Sequence, residues 1–122
     1  IMAAAATNLS FVYFLEKNYK HANEYADMAV RTMRYNANAL VNKGNCLFAS
    51  NDYDRAKELY LEAIGVQADC FEAIYNLGLA NVRIGSPDEA RQAFEKLHTI
   101  TPNNPEVIYH IANLYERQDN LQ

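Results

Sequence analysis

FEAIYNLGLANVRIGSPDEARQAFEKLHTITPNN, residues 71–104, decides the fold, because every other segment of the chain is a copy of it. Ile74, Leu77 and Gly78 fall at helical spacing, Gly85-Ser86-Pro87 interrupts them, and Ala90, Phe94 and Leu97 resume the pattern before Pro102 stops it. That is a helix, a tight turn and a second helix, with a small residue in each where the two cross. Shifted back 34 residues, Gly78 falls on Gly44, Ala90 on Ala56, Phe94 on Tyr60 and Leu97 on Ala63. Shifted back 68, the same slots hold Ser10, Ala22, Ala26 and Ala29. Shifted forward 34, Ile74, Leu77 and Gly78 become Ile108, Ile111 and Ala112.

A 34-residue period with small residues at these slots resembles the tetratricopeptide repeat, TPR. The resemblance implies an all-α, right-handed superhelical solenoid of antiparallel helix pairs. Over residues 1–122 it implies a single array, part of a longer solenoid, with units at about 3–36, 37–70 and 71–104 and a half unit at 105–122, seven helices in all. Each unit of such an array packs only on its neighbours, so the core is a ribbon rather than a ball.

Taken in order, Ala6, Leu9, Ser10 and Tyr13 mark the first helix, and Asn18 is placed to cap the second, which turns Ala22, Tyr25, Ala26, Ala29 and Val30 inward. Asn36 is free to cap the next helix. In the second unit Lys43 stands at an apolar slot, its stem expected across the groove wall and its ammonium in water. Asn51-Asp52 makes the turn, since Asn tolerates a left-handed backbone. In the third, Gly85 ends a helix, Ser86-Pro87-Asp88-Glu89 has the form of a capping box, and Asn81 replaces an expected aromatic, predicting a thin spot in the packing. Asn104-Pro105 opens the last helix, which carries Ile108, Ile111, Ala112 and Tyr115; both ends of the array are expected to expose apolar surface and favour self-association.

Bulk composition excludes several classes. Half of the residues are hydrophobic but no run of about 18 is uniformly so, which predicts no membrane span. Asn8 and Ser10 interrupt the apolar start, so no signal peptide is expected, and Met2 behind Ile1 suggests a chain cut from something longer. The net charge of −4 is scattered, with no nucleic-acid surface. Cys46 and Cys70 lack partners at ligand spacing and are expected to be reduced thiols of a cytosolic protein. His21, His98 and His110 are joined by no cysteine at metal spacing, and the glycines form no phosphate loop. The sequon Asn8-Leu9-Ser10 lies within a predicted helix. No catalytic machinery, metal or cofactor is expected.

In TPR geometry the first helices line a concave groove, and the sixth position of each unit points into it. Here those positions are Asn8, Asn42, Asn76 and His110. An asparagine amide offers a donor and an acceptor, matching the backbone of an extended peptide whatever its side chains. Units spaced by one helix-packing distance, ~8–10 Å, would serve every third residue of a strand rising ~3.3 Å per residue. The row is similar to the asparagine ladder in the TPR arm of O-GlcNAc transferase. Phe11, Phe14 and Phe48 supply an apolar floor, with Asn45, Tyr75 and Leu79 beside them. The slots where chaperone-binding TPRs place basic residues to clamp a terminal carboxylate hold Thr7, Asn38 or Glu72, which disfavours chaperone tails.

A closer resemblance is to the polaris family, the TPR subunit of intraflagellar transport complex B. It rests on residues that the repeat does not demand: Ala5-Ala6-Thr7-Asn8-Leu9-Ser10-Phe11, Tyr13-Phe14-Leu15-Glu16, Arg34-Tyr35-Asn36, Asn42-Lys43-Gly44-Asn45 and Glu72-Ala73-Ile74-Tyr75-Asn76-Leu77-Gly78-Leu79. Lys96-Leu97-His98, Glu106-Val107-Ile108-Tyr109 and Ile111-Ala112-Asn113 extend it. The resemblance implies a non-catalytic scaffold for cilium assembly and cargo transport, placed at the cilium or flagellum, the basal body and the cytoplasm. Its partners would be extended segments of other complex B subunits, with no nucleic acid and no membrane. The competing reading is a TPR cargo adaptor or assembly factor unrelated to cilia.

Overall fold

The computed structural model describes the backbone of residues 2–33 and 35–120 and the side chains of residues 5–33 and 35–116; Ile1, the junction residue Arg34, and Leu121 and Gln122 at the end of the half unit lie outside the described residues. Seven helices follow one another: α1 (Met2–Leu15), α2 (Tyr19–Thr32), α3 (Ala37–Ala49), α4 (Tyr53–Val66), α5 (Phe71–Ile84), α6 (Pro87–Ile100) and α7 (Pro105–Asn120). Consecutive helices pack as antiparallel pairs in a superhelical, all-α arrangement. The first helices also meet across units, α1 with α3 and α3 with α5, whereas the backbones of α2, α4 and α6 stay more than 8 Å from one another among the described residues. A wall whose inner rods touch and whose outer rods splay must curve, so the first helices line the concave face.

The crossings depend on small residues, as the period predicts. A Cβ built on Gly44 would lie 2.6 Å from Cε1 of Tyr60, and one on Gly78 2.6 Å from Cζ of Phe94. Ala22, Ala56 and Ala90 are fully buried. The first unit differs, with Ser10 in the glycine slot and Ala26 in the aromatic slot, both fully buried. Ser10 is fully buried, and its hydroxyl donates to the Ala22 carbonyl at 2.7 Å, so the polar group is satisfied.

Turn chemistry repeats with the same period. Lys17, Asn51 and Gly85, each 34 residues from the next, have φ of 62°, 65° and 91°. Lys17 was not legible as a turn residue, because nothing in its side chain favours that left-handed conformation. Asn18, Asn36 and Asn104 cap as expected, accepting from the backbone N–H groups of His21, Ala39, and Glu106 and Val107 respectively. Asp52 caps α4 in the same way.

Two expectations need correction. Ser86 makes no side-chain cap bond, although Pro87 does sit at the start of α6. Glu89, the other member of the expected capping box, instead pairs with Lys57 at 2.6 Å across the splayed gap between α4 and α6. Lys43 does not hold its ammonium in water over the groove: its Nζ lies 2.9 Å from Asp27 Oδ1 and ties α3 to α2.

Asn81 does mark a packing fault. It is 1 % exposed, its Oδ1 has no hydrogen-bond partner, and it borders a crevice of about 260 Å³ walled by Leu61, Ile64, Ile74 and Leu77. At the far end, α7 is anchored by buried Val107 and Leu114, while Ile108, Ala112 and Tyr115 stay exposed because no following helix covers them among the described residues.

Two measurements check this packing scheme. Gly65 has no atom within 4 Å of an added Cβ, so Gly65→Ala should gain about 0.5–1 kcal/mol from helix propensity. Gly78→Ala carries the same propensity gain but should lose about 1–3 kcal/mol overall through overpacking against Phe94. Urea unfolding of the two variants reads the opposite signs; a stabilising Gly78→Ala would contradict the crossing geometry. Asn81→Leu removes an unpartnered buried amide oxygen, and its unfolding midpoint should rise by the equivalent of about 1–2 kcal/mol.

Candidate functional site

The concave face is built outward from the crossings. Because Gly44 has no side chain, the Tyr60 ring passes against α3 and its hydroxyl emerges on the groove side, donating to Asn45 Oδ1 at 2.7 Å. Burial first, and then the Glu72 carboxylate, push the Tyr60 phenol well above its ordinary pKa, so it stays a donor. Asn76 Nδ2 donates to the same Asn45 oxygen at 3.0 Å, and Asn45 Nδ2 points to Glu72 Oε1 at 3.4 Å. Asn45 is therefore the hub that joins the second and third units. One unit earlier, Asn42 Nδ2 donates to Ser10 Oγ at 2.7 Å.

The third crossing carries Phe94, which has no hydroxyl, and the link to the next unit takes another form. The His110 ring stacks on Phe94 with centroids 4.7 Å apart and planes 9° from parallel. Its Nε2 lies 2.9 Å from the Tyr75 hydroxyl. Burial lowers the His110 pKa below 6.5, partly offset by the Glu106 carboxylate, and burial with Glu106 raises that of Tyr75. The pair is thus a neutral imidazole beside a neutral phenol.

Two depressions open on this face. One, of about 300 Å³, is lined by Phe14, Asn45, Phe48, Ala49, Tyr60, Glu72, Asn76 and Leu79. The other, of about 580 Å³, is lined by Leu79, Val82, Arg83, Tyr109, His110, Asn113 and Leu114. Leu79 is the ridge between them. The structure brings Asn45, Phe48, Asn76 and Leu79 to the first depression, and His110, with Tyr75 behind it, to the second. Asn42 lies one unit away on Ser10, Asn8 is exposed on α1, and Phe11 is 54 % exposed and borders neither depression. Tyr60 and Ser10 looked like core residues in the sequence; the hydroxyl of Tyr60, where the next unit has phenylalanine, was the one signal of its polar task.

Asn42 and Asn76 each spend one amide hydrogen on a neighbouring unit. Each keeps a second hydrogen and a carbonyl oxygen unengaged among the described residues. Among the described residues, no group of three or more His, Cys, Asp or Glu side chains could hold a metal ion, and no helix is long and apolar enough to cross a membrane. Cys46 and Cys70 are free and buried, and burial raises the Cys46 pKa, leaving a protonated thiol of low reactivity.

The family model described as tetratricopeptide repeat matches residues 41–105, more than half of the chain. This chain belongs to the tetratricopeptide repeat family. Among curated relatives, it is 28% identical over 112 residues to anaphase-promoting complex subunit 3 of Schizosaccharomyces pombe, covering 89% of this chain and 16% of that protein. It is 29% identical over 118 residues to the type IV pilus assembly protein PilF of Pseudomonas aeruginosa, covering 95% and 47%. A shorter match, 50% identical over 36 residues, is to the human intraflagellar transport protein 88 homolog, covering 30% and 4%. The chain thus spans less than half the length of each of these relatives. The first TPR of Spaghetti (RPAP3) bound to the HSP90 peptide SRMEEVD superimposes with a TM-score of 0.92 at 18% identity, covering 96% of this chain and 93% of that one, a likeness of fold.

The half-buried imidazole is expected to make the joint between α7 and the rest of the TPR array sensitive to pH. His110 binds its proton less readily folded than unfolded, so its contribution to stability is intact above the unfolded pKa near 6.5 and is lost as pH falls through the lowered folded value. Thermal unfolding followed from about pH 8 to about pH 5 should show a decline that His110→Gln flattens. An equal decline in both proteins would remove His110 as its source.

Proposed function

We propose that this TPR array is a non-catalytic interaction scaffold that holds an extended segment of a partner protein along the concave face of its first helices. One observation carries the reading: Asn42 and Asn76, one unit apart, each hold out an unused amide hydrogen and carbonyl oxygen, and Asn76 does so on the wall of a depression with an apolar floor. Those groups match the alternating N–H and C=O of a strand, and the apolar walls suit its side chains. The HSP90 peptide bound by the similarly folded RPAP3 domain supports a peptide as occupant of this face. The units at about 3–36, 37–70, 71–104 and 105–122 act in this reading as one continuous wall.

For the cellular role, a TPR adaptor or assembly scaffold is the reading with more support, since the longer matches run to an anaphase-promoting complex subunit and a pilus assembly protein. The ciliary reading, with partners among the other subunits of intraflagellar transport complex B and a location at the cilium, basal body and cytoplasm, rests on the 36-residue match to the human intraflagellar transport protein. Imaging of the tagged protein in ciliated cells separates the two: absence from basal body and axoneme would leave the general adaptor.

The groove itself is tested without knowing the partner. Linear peptides selected on the wild-type chain by display should bind the double variant Asn42→Ala, Asn76→Ala at least about tenfold more weakly, the loss of one to two net hydrogen bonds. Fluorescence anisotropy reads the change, with circular dichroism confirming the fold. Unchanged affinity across the selected peptides would place binding elsewhere.

A further inference from the structure

We propose that the depression beside Glu72 selects a segment in which a large apolar side chain is flanked by lysine or arginine, and that it rejects one in which that side chain is flanked by acidic residues. The inference rests on the groove reading above and adds the chemistry of the occupant. The floor of the depression is apolar, from Phe14, Phe48 and Leu79, and Glu72 is the one charged residue on its wall. Glu72 is exposed, and its single hydrogen bond, to Asn45 Nδ2, is long at 3.4 Å. The ion pairs among the described residues engage Asp27, Asp52, Asp88, Glu89 and Glu95, and leave Glu72 without a cation.

A carboxylate without a cation, at the edge of an apolar hollow, attracts an ammonium or guanidinium whose neighbouring side chain fills the hollow. The Asn45 hub, fixed by Tyr60 and Asn76, steadies that carboxylate, so less ordering is lost when a cation arrives. Beyond the Leu79 ridge the charge changes sign: Arg83 is the charged residue on the wall of the second depression and is exposed. The hollows stand one unit apart, a helix-packing distance of ~8–10 Å, which a strand covers in about three residues. The fitting segment is therefore basic and apolar at one point and acidic about three residues further along.

The test uses the 122-residue chain and synthetic peptides blocked at both ends, so that no terminal charge competes. Each carries a central Leu or Phe flanked by Lys, Gln or Glu, and affinities are read by fluorescence anisotropy. The Lys series should bind about tenfold tighter than the Glu series, and the difference should shrink as salt is raised. Glu72→Gln should erase the preference, and Glu72→Lys should invert it, while thermal unfolding stays unchanged because the residue is exposed. A Lys preference that persists in Glu72→Lys, or is absent from the wild type while peptides still bind, overturns the proposed selectivity and leaves the groove standing. Failure of every series to bind the wild-type chain would overturn the groove reading and this one with it.

Discussion

Close approach of the paired helices is the constraint from which the rest follows. At Gly44 and Gly78 an added methyl group would overlap the ring of Tyr60 or Phe94, and packed interiors have little room to yield. In the first unit both slots hold small, fully buried residues, Ser10 and Ala26. What recurs from unit to unit is therefore a small residue on the first helix at the crossing, glycine where the facing residue is aromatic and serine where it is alanine. With the pair distance set, the splay of the outer helices and the contact of the inner ones give the wall its curvature.

Polar groups on the concave face do two things at once. Asn42, Asn76 and His110 each link one unit to the previous one, through Ser10, Asn45 and Tyr75. In a solenoid, stability is carried by interfaces between neighbours, so these bonds brace joints that would otherwise depend on apolar contact alone. They also fix the remaining donor and acceptor of each amide in direction, which is the condition for recognising a strand without first losing side-chain entropy. The row of Asn42, Asn76 and His110 is consequently part of the bracing of the array itself.

The helices and their pairing were legible in the sequence because their signals are local. A small residue every 34 positions, an apolar stripe and the caps Asn18, Asn36 and Asn104 all act within a few residues of themselves. The misreadings share a different cause. Ser86 and Glu89 have the form of a capping box, but Lys57, 32 residues earlier in the chain, claims the Glu89 carboxylate. Lys43 was expected in water, yet Asp27 of the preceding helix lies within reach. Lys17 adopts a left-handed turn because its position in the repeat requires one. Contacts between units, and backbone demands inherited from the period, override what the isolated residue prefers.

Scaffold and recognition meet most closely in the second unit. Gly44 and Asn45 are adjacent in sequence, yet one faces the crossing and the other the groove, because successive helical residues are rotated by about 100°. Tyr60 touches both: its ring lies against Gly44 and its hydroxyl holds Asn45, which in turn bonds Asn76 and Glu72. Any change that moves the ring at the crossing must move the hydroxyl, and with it the whole polar cluster on the concave face. The third unit lacks this linkage, since Phe94 ends in carbon and reaches His110 only by stacking. Packing and the polar chemistry of the concave face are thus coupled at one depression and nearly independent at the other, a difference that turns on a single oxygen atom between two otherwise equivalent rings.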